Sequence, residues 1–249
     1  AAALRTRAVR DGDDWLITGN KIFVTCGPVA DYVLVLARTN DAPRAKGVSA
    51  FIVDTSLAGV TRGPKNRKMG YNGATPNCDF FFEDVRVSAD AMIGGDGEGF
   101  AIAMKCMEFN RPAMSASALG IAQGALDQAV AFAKEREQFG KPIAEFQGLQ
   151  FMMADMAMQI EAARSLLYEG TTRYDRGEMD GYGGLSAMVK TLASDAAMKV
   201  TTDAVQILGG YGYMKEFPVE RMMRDAKVTQ IFEGTNQIQR MLIARDLLK

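Results

Sequence analysis

Short runs of β-branched and aromatic residues fill roughly the first 90 positions of the chain. Turn pairs such as Asp11-Gly12, Thr18-Gly19 and Asn72-Gly73 separate these runs. The pattern predicts five β-strands, at residues 15–17, 21–25, 32–36, 48–53 and 78–82. No helical segment lies between them, so an antiparallel, β-barrel-like sheet is favoured over a parallel α/β sheet.

Apolar residues recur at helical spacing in the remainder of the chain. Three stripes with this spacing cover residues 119–133, 149–167 and 185–208. The third stripe, which Gly209-Gly210 ends, comprises Leu185, Met188, Leu192, Ala196, Val200, Ala204 and Leu208. These stripes predict three long amphipathic helices.

Two shorter helices are predicted after them. Pro218 favours the start of the first. Thr235 is a favourable N-cap for the second, whose apolar stripe comprises Ile238, Met241, Leu242, Ala244 and Leu248. Long helices joined by short loops favour an antiparallel bundle of the four-helix type.

A glycine-dense segment separates the two kinds of pattern. Residues 93–99 read IGGDGEG, and they lack both the preceding strand and the spacing of a dinucleotide-binding turn. We interpret this segment as an interdomain hinge. The sequence therefore predicts a β-domain at residues 1–92 and an α-helical bundle domain at residues 93–249.

Composition removes several classes of function. The 249 residues carry a formal net charge of -1 with Lys and Arg scattered among acids, so neither nucleic acid nor an anionic lipid surface is a predicted partner. No apolar run reaches the roughly 20 residues that a membrane span needs. The chain opens on Ala1-Ala2-Ala3-Leu4 without an initiator Met or a signal-like region, and we expect it to be a fragment.

Histidine is absent, which excludes Ser-His-Asp and Cys-His catalysis and histidine-ligated zinc. Any general base must therefore be a carboxylate, lysine, tyrosine or cysteine. Cys26, Cys78 and Cys106 are widely spaced, so neither a disulfide framework nor a metal site is predicted. This cysteine usage favours a reducing compartment.

The carboxylate best placed for chemistry is Glu233, within the stretch IFEGTNQIQR at residues 231–240. The flanking Ile231 and Phe232 favour partial desolvation, which makes a carboxylate a stronger base towards a weak carbon acid. A helix capped by Thr235 places its positive dipole end nearby and opposes that effect. Considered alone, a surface acid in a helix-entry loop is the simpler interpretation.

Seven blocks in a fixed order change that assessment. They are residues 21–25 (KIFVT), 82–87 (FEDVRV), 110–112 (NRP), 136–143 (REQFGKPI), 206–213 (QILGGYGY), 224–227 (RDAK) and the Glu233 block. Together they resemble the acyl-CoA dehydrogenases, flavoenzymes that oxidise an acyl-CoA thioester to its trans-2-enoyl form. The resemblance extends along the whole chain.

The resemblance implies a middle β-domain and a C-terminal helical bundle that bind FAD, in a homotetramer built as a dimer of dimers. It implies a role in fatty acid β-oxidation, with an electron-transferring flavoprotein as acceptor, in the bacterial cytoplasm or the mitochondrial matrix. By resemblance, we expect the chain to begin just past the family's N-terminal helical domain and its Thr-Glu-Pro-x-Ala-Gly-Ser-Asp loop. We expect this chain to retain some flavin but to dehydrogenate little, because the acyl pocket would lack one wall.

By resemblance, Glu233 is the base that removes the α-proton while the β-hydride leaves for flavin N5. Some relatives place this base instead on the helix that contains Asn110-Arg111-Pro112, and here Asn110 cannot act as a base. Thr25 matches a threonine that hydrogen-bonds the flavin near N5 and O4. Phe23 occupies the place of a tryptophan packed on the isoalloxazine ring. Without the resemblance, Thr25 is an ordinary strand residue.

The resemblance implies further contacts with cofactor and substrate. Those with FAD are Arg136 at the pyrophosphate, Gln138, Phe139, Gln206, Gly209, Gly210, Thr235 and Gln237, with residues 136–139 and 206–210 reaching a neighbouring subunit's FAD. Those with the substrate are Glu108, Arg111, Phe232 and Gly234. Local alternatives are a solvated helix-end charge for Arg136, a helix stop for Gly209 and an N-cap for Thr235. Glu108 and Arg111 would then form an i,i+3 pair worth about 0.2 to 0.5 kcal/mol.

Two other functions stay compatible with these residues. An enoyl-CoA reductase or a desulfinase of the same fold would keep the flavin and change the reaction, although retention of Glu233 favours α-proton chemistry. A non-catalytic tetrameric scaffold would explain the missing first domain. Bound flavin separates the dehydrogenase and its same-fold alternatives, the reductase and the desulfinase, from the non-catalytic scaffold.

Overall fold

A computed structural model describes residues 3–73 and 75–249 of the chain. Ala1 and Ala2, with which the predicted β-domain opens, lie outside the described residues. The chain divides into two compact units, one that ends at Cys106 and one from Met107 to Lys249. None of the helices in the described ranges combines the length and the apolar character of a membrane span.

The first unit is built on a seven-stranded sheet in the order β5-β6-β2-β1-β3-β4-β7. Its strands are β1 Arg7–Asp11, β2 Asp14–Thr25, β3 Tyr32–Arg38, β4 Val48–Asp54, β5 Val60–Arg62, β6 Asn77–Val87 and β7 Met92–Ile93. All neighbouring strands are antiparallel except β1 and β3, which pair in parallel through Arg7 and Arg38. The predicted β-sheet half is confirmed.

Strand β2 corrects one detail of the prediction. Residues 15–17 and 21–25 belong to a single strand, and Thr18-Gly19 is not a turn but a shift in register against β6. Gly19 has φ 140°, and a Cβ atom there would lie 2.7 Å from Thr6 Cα. A glycine is needed because another chain segment approaches the strand closely, and this produces a bulge rather than a reversal.

The core of this sheet follows the two-residue period of β-strands. Side chains on one face of β2, β4 and β6 are buried, among them Trp15, Ile17, Phe51, Phe80 and Phe82. Trp15 and Phe51 meet edge to face, with ring centroids 5.7 Å apart. This packing fixes which face of β2 points outward.

The second unit is helical, as predicted. Its elements are α1 Gly99–Glu135, which begins in the first unit, the hairpin β8 Glu137–Gln138 and β9 Lys141–Pro142, α2 Gln147–Asp175, α3 Tyr182–Leu208, α4 Val219–Thr229 and α5 Asn236–Leu247. Helix α1 continues through Pro112 and begins 20 residues before its predicted apolar stripe. Pro218 caps α4, and Gly209 with φ 58° ends α3.

Two predicted apolar stripes are only partly buried. Leu192 on α3 is exposed, whereas Lys190 and Ser194 on the same helix are buried. On α5, Ile238 and Met241 are exposed, whereas the polar Asn236 and Gln239 face inward. Helix α3 packs against α2, α4 and α5, so nearly its whole circumference is covered.

The glycines of the 93–99 segment serve close packing. A Cβ atom at Gly97 would lie 2.3 Å from the carbonyl oxygen of Lys46, and one at Gly99 would lie 2.3 Å from the Ala50 nitrogen. Both positions therefore exclude any larger residue. Two glycines of this segment are thus required by backbone contact within the first unit, and the interdomain hinge stays a prediction.

Candidate active site

Glu233 lies in the short loop between α4 and α5. Its φ is 55° and that of Gly234 is 87°, so two successive residues adopt left-handed backbone conformations. Thr235 then caps α5, because its side chain accepts a hydrogen bond from the Ile238 amide at 3.4 Å. The predicted N-cap is confirmed, and the cap places Glu233 just before the start of the helix.

Helix α1 contacts this loop through two adjacent side chains. Asn110 Nδ2 donates a hydrogen bond to Glu233 Oε1 at 2.9 Å, and Arg111 Nε lies 3.5 Å from the Glu233 carbonyl oxygen. Arg111 is buried, and this desolvation lowers the pKa of its guanidinium, while the charges of Glu108 and Glu233 raise it. Arg111 thus contacts the loop backbone, and no ion pair with Glu108 forms within the described ranges.

The surroundings of Glu233 differ in one respect from the expected apolar strip. Ile231 is 53% exposed, whereas Phe232 and Glu233 are half-buried. Side chains from α1 and the first turns of α5, rather than Ile231, cover the base of the loop.

A buried polar cluster that the sequence analysis missed lies under this loop. Lys190 Nζ donates to the Gly234 carbonyl oxygen at 3.0 Å and to Asn236 Oδ1 at 2.6 Å. Gln239 Nε2 donates to the carbonyl oxygens of Glu233 and Gly234, at 2.9 and 3.0 Å. One signal was available in the sequence: Lys190 and Ser194 are polar residues at i and i+4 in a helix otherwise rich in Ala and Val.

Asp195 links this buried cluster, through Asn236, to Arg240 at the surface. Desolvation raises the pKa of its carboxyl group, but hydrogen bonds from Arg240, Gln230 and Asn236 outweigh this and bring the pKa below its usual value. Arg240 Nη2 and Asn236 Nδ2 lie 2.6 and 2.7 Å from its two oxygens, Oδ2 and Oδ1 respectively. The carboxylate is therefore a fixed anchor for the start of α5.

One groove of about 480 Å³ brings together four of the predicted cofactor residues, Arg136, Gln138, Gly209 and Gly210. Arg136 stands 5.5 Å from the Tyr211 ring centroid. A Cβ atom at Gly209 or Gly210 would meet no described atom within 4 Å, so the floor of the groove is open backbone. Gln206 is exposed in the last turn of α3 but does not line this groove.

Phe139 lies at the tip of the hairpin beside this groove. Phe139 and Gly140 have φ values of 53° and 78°, which are the paired positive values of a type I′ turn. The Phe139 side chain is 93% exposed. An aromatic ring so fully exposed at a hairpin tip is available for contact with a ligand or another subunit.

Thr235 and Gln237 line a second groove of about 510 Å³. The other lining residues are Asp195, Lys227, Gln230, Ile231, Asn236 and Arg240. A larger cavity of about 740 Å³ lies between α1 and α2, is mainly apolar, and contains none of the predicted site residues. The two smaller grooves thus bring together six of the predicted contacts of the second unit, whereas Phe139, Gln206 and Glu108 line neither groove.

In the first unit, Phe23 and Thr25 lie at an irregularity of β2. The register against β6 shifts between Lys21 and Val24, and Phe23 has φ 58° with an exposed ring. Asn77 Nδ2 donates to the Phe23 carbonyl oxygen at 3.0 Å and to Thr25 Oγ1 at 3.2 Å. A bulge turns the aromatic ring outward, and Asn77 fixes it there.

In the second unit, a guanidinium beside an open glycine floor is suited to bind a phosphate group. In the first unit, an exposed phenylalanine on a bulge is suited to contact a flat aromatic ring. Within the described residues, no group of three or more Cys, Asp or Glu side chains is arranged to hold a metal ion.

Two family models match the chain and cover most of its length. Residues 1–85 match the acyl-CoA dehydrogenase middle domain, and residues 97–248 match the acyl-CoA dehydrogenase C-terminal domain. The β-sheet unit and the helical unit correspond to these two matches in order. The chain belongs to the acyl-CoA dehydrogenase family.

Individual relatives agree with this assignment. The probable acyl-CoA dehydrogenase FadE25 of Mycobacterium tuberculosis is 51% identical over all 249 residues. The structure of butyryl-CoA dehydrogenase from Megasphaera elsdenii matches 100% of the chain with a TM-score of 0.96 at 44% identity. A chain from the structure described as the electron transferring flavoprotein of Acidaminococcus fermentans also matches 100%, with a TM-score of 0.95 at 48% identity. In each case the chain spans 64% of the relative's length.

Proposed function

We propose that the protein catalyses the FAD-dependent α,β-dehydrogenation of an acyl-CoA thioester to the trans-2-enoyl-CoA, with Glu233 as the base. The observation that carries this proposal is the constrained Glu233 loop. A glutamate held at φ 55° and fixed by Asn110 is aimed by its surroundings, and local strain of this kind clusters at functional sites.

Glu233 would remove the pro-R α-proton of the substrate. Asn110 donates to Oε1, so the second carboxylate oxygen, Oε2, is the one that would accept the proton. Asn110 also has no basic group of its own, which leaves Glu233 as the proton acceptor at this place. Glu108, Arg111, Phe232 and Gly234 are the proposed substrate contacts.

We infer that FAD is the cofactor. Two segments would hold the phosphates and adenine side of a neighbouring subunit's FAD, through Arg136, Gln138, Phe139, Gln206, Gly209 and Gly210. Thr235 and Gln237 would bind beside the base. Phe23 and Thr25 would contact the ring system. When bound, FAD supplies the two-electron acceptor, and the protein contributes positioning and exclusion of water.

The proposed assembly is a homotetramer, and an electron-transferring flavoprotein is the proposed acceptor in fatty acid β-oxidation. Exposed apolar side chains such as Phe139, Met241 and Leu248 support subunit contacts. The match with a chain of an electron transferring flavoprotein structure supports the acceptor. The free thiols of Cys26, Cys78 and Cys106 support a reducing compartment, which we propose is the bacterial cytoplasm.

The test uses the full-length protein and a panel of acyl-CoAs. We expect flavin absorbance in the purified protein, anaerobic bleaching by at least one acyl-CoA, and a trans-2-enoyl-CoA product by mass spectrometry. A colourless protein would contradict the cofactor. Flavin that no acyl-CoA bleaches, but that an enoyl-CoA reoxidises after chemical reduction, would favour the reductase instead.

A further inference from the structure

The loop that carries Glu233 rests on a buried lysine. Lys190, in the first half of α3, is 1% exposed. Its Nζ atom donates hydrogen bonds to the Gly234 carbonyl oxygen at 3.0 Å and to Asn236 Oδ1 at 2.6 Å. These two residues lie on either side of Thr235, so one ammonium group spans the turn from the loop into α5.

A charge in this position is costly for the fold. Both hydrogen-bond partners are neutral oxygens, and an ammonium group loses its hydration on burial. Desolvation lowers the pKa of Lys190 to about 8; Asp195 on α3 and Glu233 act to raise it, and Arg111 on α1 acts to lower it further. An apolar residue of similar length would satisfy the packing of α3 without this cost, so the packing alone does not account for a lysine.

The geometry of the loop supplies a reason for the lysine. Glu233 and Gly234 have φ values of 55° and 87°. The peptide bond that joins them sets the direction in which the Glu233 side chain projects. Lys190 holds the carbonyl oxygen that directly follows this peptide. The Asn110 contact with the Glu233 carboxylate depends on the same backbone conformation.

We propose that Lys190 is a positioning residue for the proton-abstracting step: by joining Gly234 to Asn236 it fixes the backbone from which Glu233 projects. The proposal rests on the proposed function, in which Glu233 accepts the α-proton. Catalytic groups must be held within a fraction of an ångström, and a displacement of about 1 Å can reduce a rate by about 10²-fold.

The Lys190→Met variant separates positioning from folding. Both oxygens retain another polar neighbour, because Gln239 Nε2 is 3.0 Å from the Gly234 carbonyl oxygen and Ser194 Oγ is 3.2 Å from Asn236 Oδ1. Met also removes the buried charge. A lysine with a purely structural role would lose stability on this change, whereas we expect the thermal midpoint at pH 7.5 to stay the same or rise.

The experiment compares the full-length, flavin-loaded protein with Lys190→Met and with the control Lys199→Met. Lys199 lies on the same helix, but its side chain is 56% exposed and pairs with Asp203. Hydrogen exchange of residues 230–240 reports on the loop without any substrate. We expect exchange about tenfold faster in Lys190→Met and unchanged in Lys199→Met. The limiting rate of flavin bleaching should fall about 10²-fold, with acyl-CoA affinity within about twofold of the parent.

Two results would overturn the proposal. The first is unchanged exchange of residues 230–240 in Lys190→Met. The second is faster exchange in this variant with the same limiting rate of flavin bleaching as the parent, provided that an acyl-CoA bleaches the parent. A parent that no acyl-CoA bleaches would instead contradict the proposed function, and the exchange comparison would still decide whether Lys190 holds the loop. If Lys190→Met does not fold, Lys190→Gln replaces it with the same expected outcomes, because the Gln amide is uncharged and one atom shorter than the lysine that joins the two oxygens.

Discussion

Glu233 combines two features that rarely coincide in a surface residue. It has a left-handed backbone, which costs of order 1–3 kcal/mol for a non-glycine residue, and its carbonyl and carboxylate oxygens both accept hydrogen bonds from side chains. The sequence motif indicated Glu233 but not the side chains that hold its loop. Lys190 and Gln239 went unnoticed because a lysine or glutamine on a helix normally faces solvent, and only the packing of α3 against α5 buries them.

Arg136 is the residue whose role depends most on the cofactor. It is exposed and contacts the Tyr211 ring, so the isolated chain gives it no structural partner strong enough to affect folding. We expect Arg136→Ala to lower FAD occupancy and to weaken the dimer at the same time, while leaving the thermal midpoint of the apoprotein within about 2 °C.

The measurement pairs flavin absorbance per polypeptide with sedimentation velocity. Arg136→Lys is the matched control, because it keeps the charge but loses the planar donor group, and it should recover only part of the occupancy. Full flavin occupancy in Arg136→Ala would contradict a cofactor contact and show that Arg136 is a solvated surface charge.

At the level of elements, hydrophobic periodicity predicted the core-facing residues of helices that have one buried side. The stripes of α1 and α2 face the core as expected, because each helix has one covered side. The predicted stripe of α3 was wrong at Leu192, because a central helix is covered nearly all round and its hydrophobic period carries little information.

The prediction divided strand β2 into two strands because Gly19 resembles a turn residue. Only the close approach of Thr6 shows why glycine is needed there. The boundary predicted after residue 92 stays a prediction; α1 begins beyond it at Gly99 and continues through the division between Cys106 and Met107.

The burial of Lys190 within α3 predicts a pH dependence of stability. Its pKa is about 8 in the folded protein and 10.5 in the unfolded chain. Between these pH values the unfolded state binds more protons, so this group makes the free energy of unfolding rise with pH across that window and contributes no slope below it. At 1.36 kcal/mol for each pKa unit, the full rise is about 3 kcal/mol.

Urea unfolding at pH 7.5 and pH 10 tests this expectation. Lys190→Met should be more stable than the parent at pH 7.5, and most of that advantage should disappear at pH 10. The pKa of Lys21 is also lowered by burial, but its effect is common to both proteins and cancels in the difference. An advantage of equal size at both pH values would show that Lys190 stays charged in the fold.

For the whole molecule, the chain contains two of the parts that the family combines, and it spans 64% of the length of its relatives. Motif order along the chain identified the family because the seven blocks are spread over both units. The acyl group could not be predicted in the same way. Acyl selectivity depends on bulky side chains spread over several helices, and these side chains follow no fixed motif.

The most direct test of the central claim is the Glu233→Gln variant of the full-length protein, compared with Glu216→Gln, which changes an exposed glutamate ahead of α4. The amide preserves size and the contact with Asn110 but cannot accept the α-proton. We predict normal flavin absorbance in both variants. The rate of anaerobic bleaching by acyl-CoA should fall about 10²–10⁴-fold in Glu233→Gln alone. Bleaching at the parent's rate by flavin-replete Glu233→Gln would contradict the account and place the base on another residue.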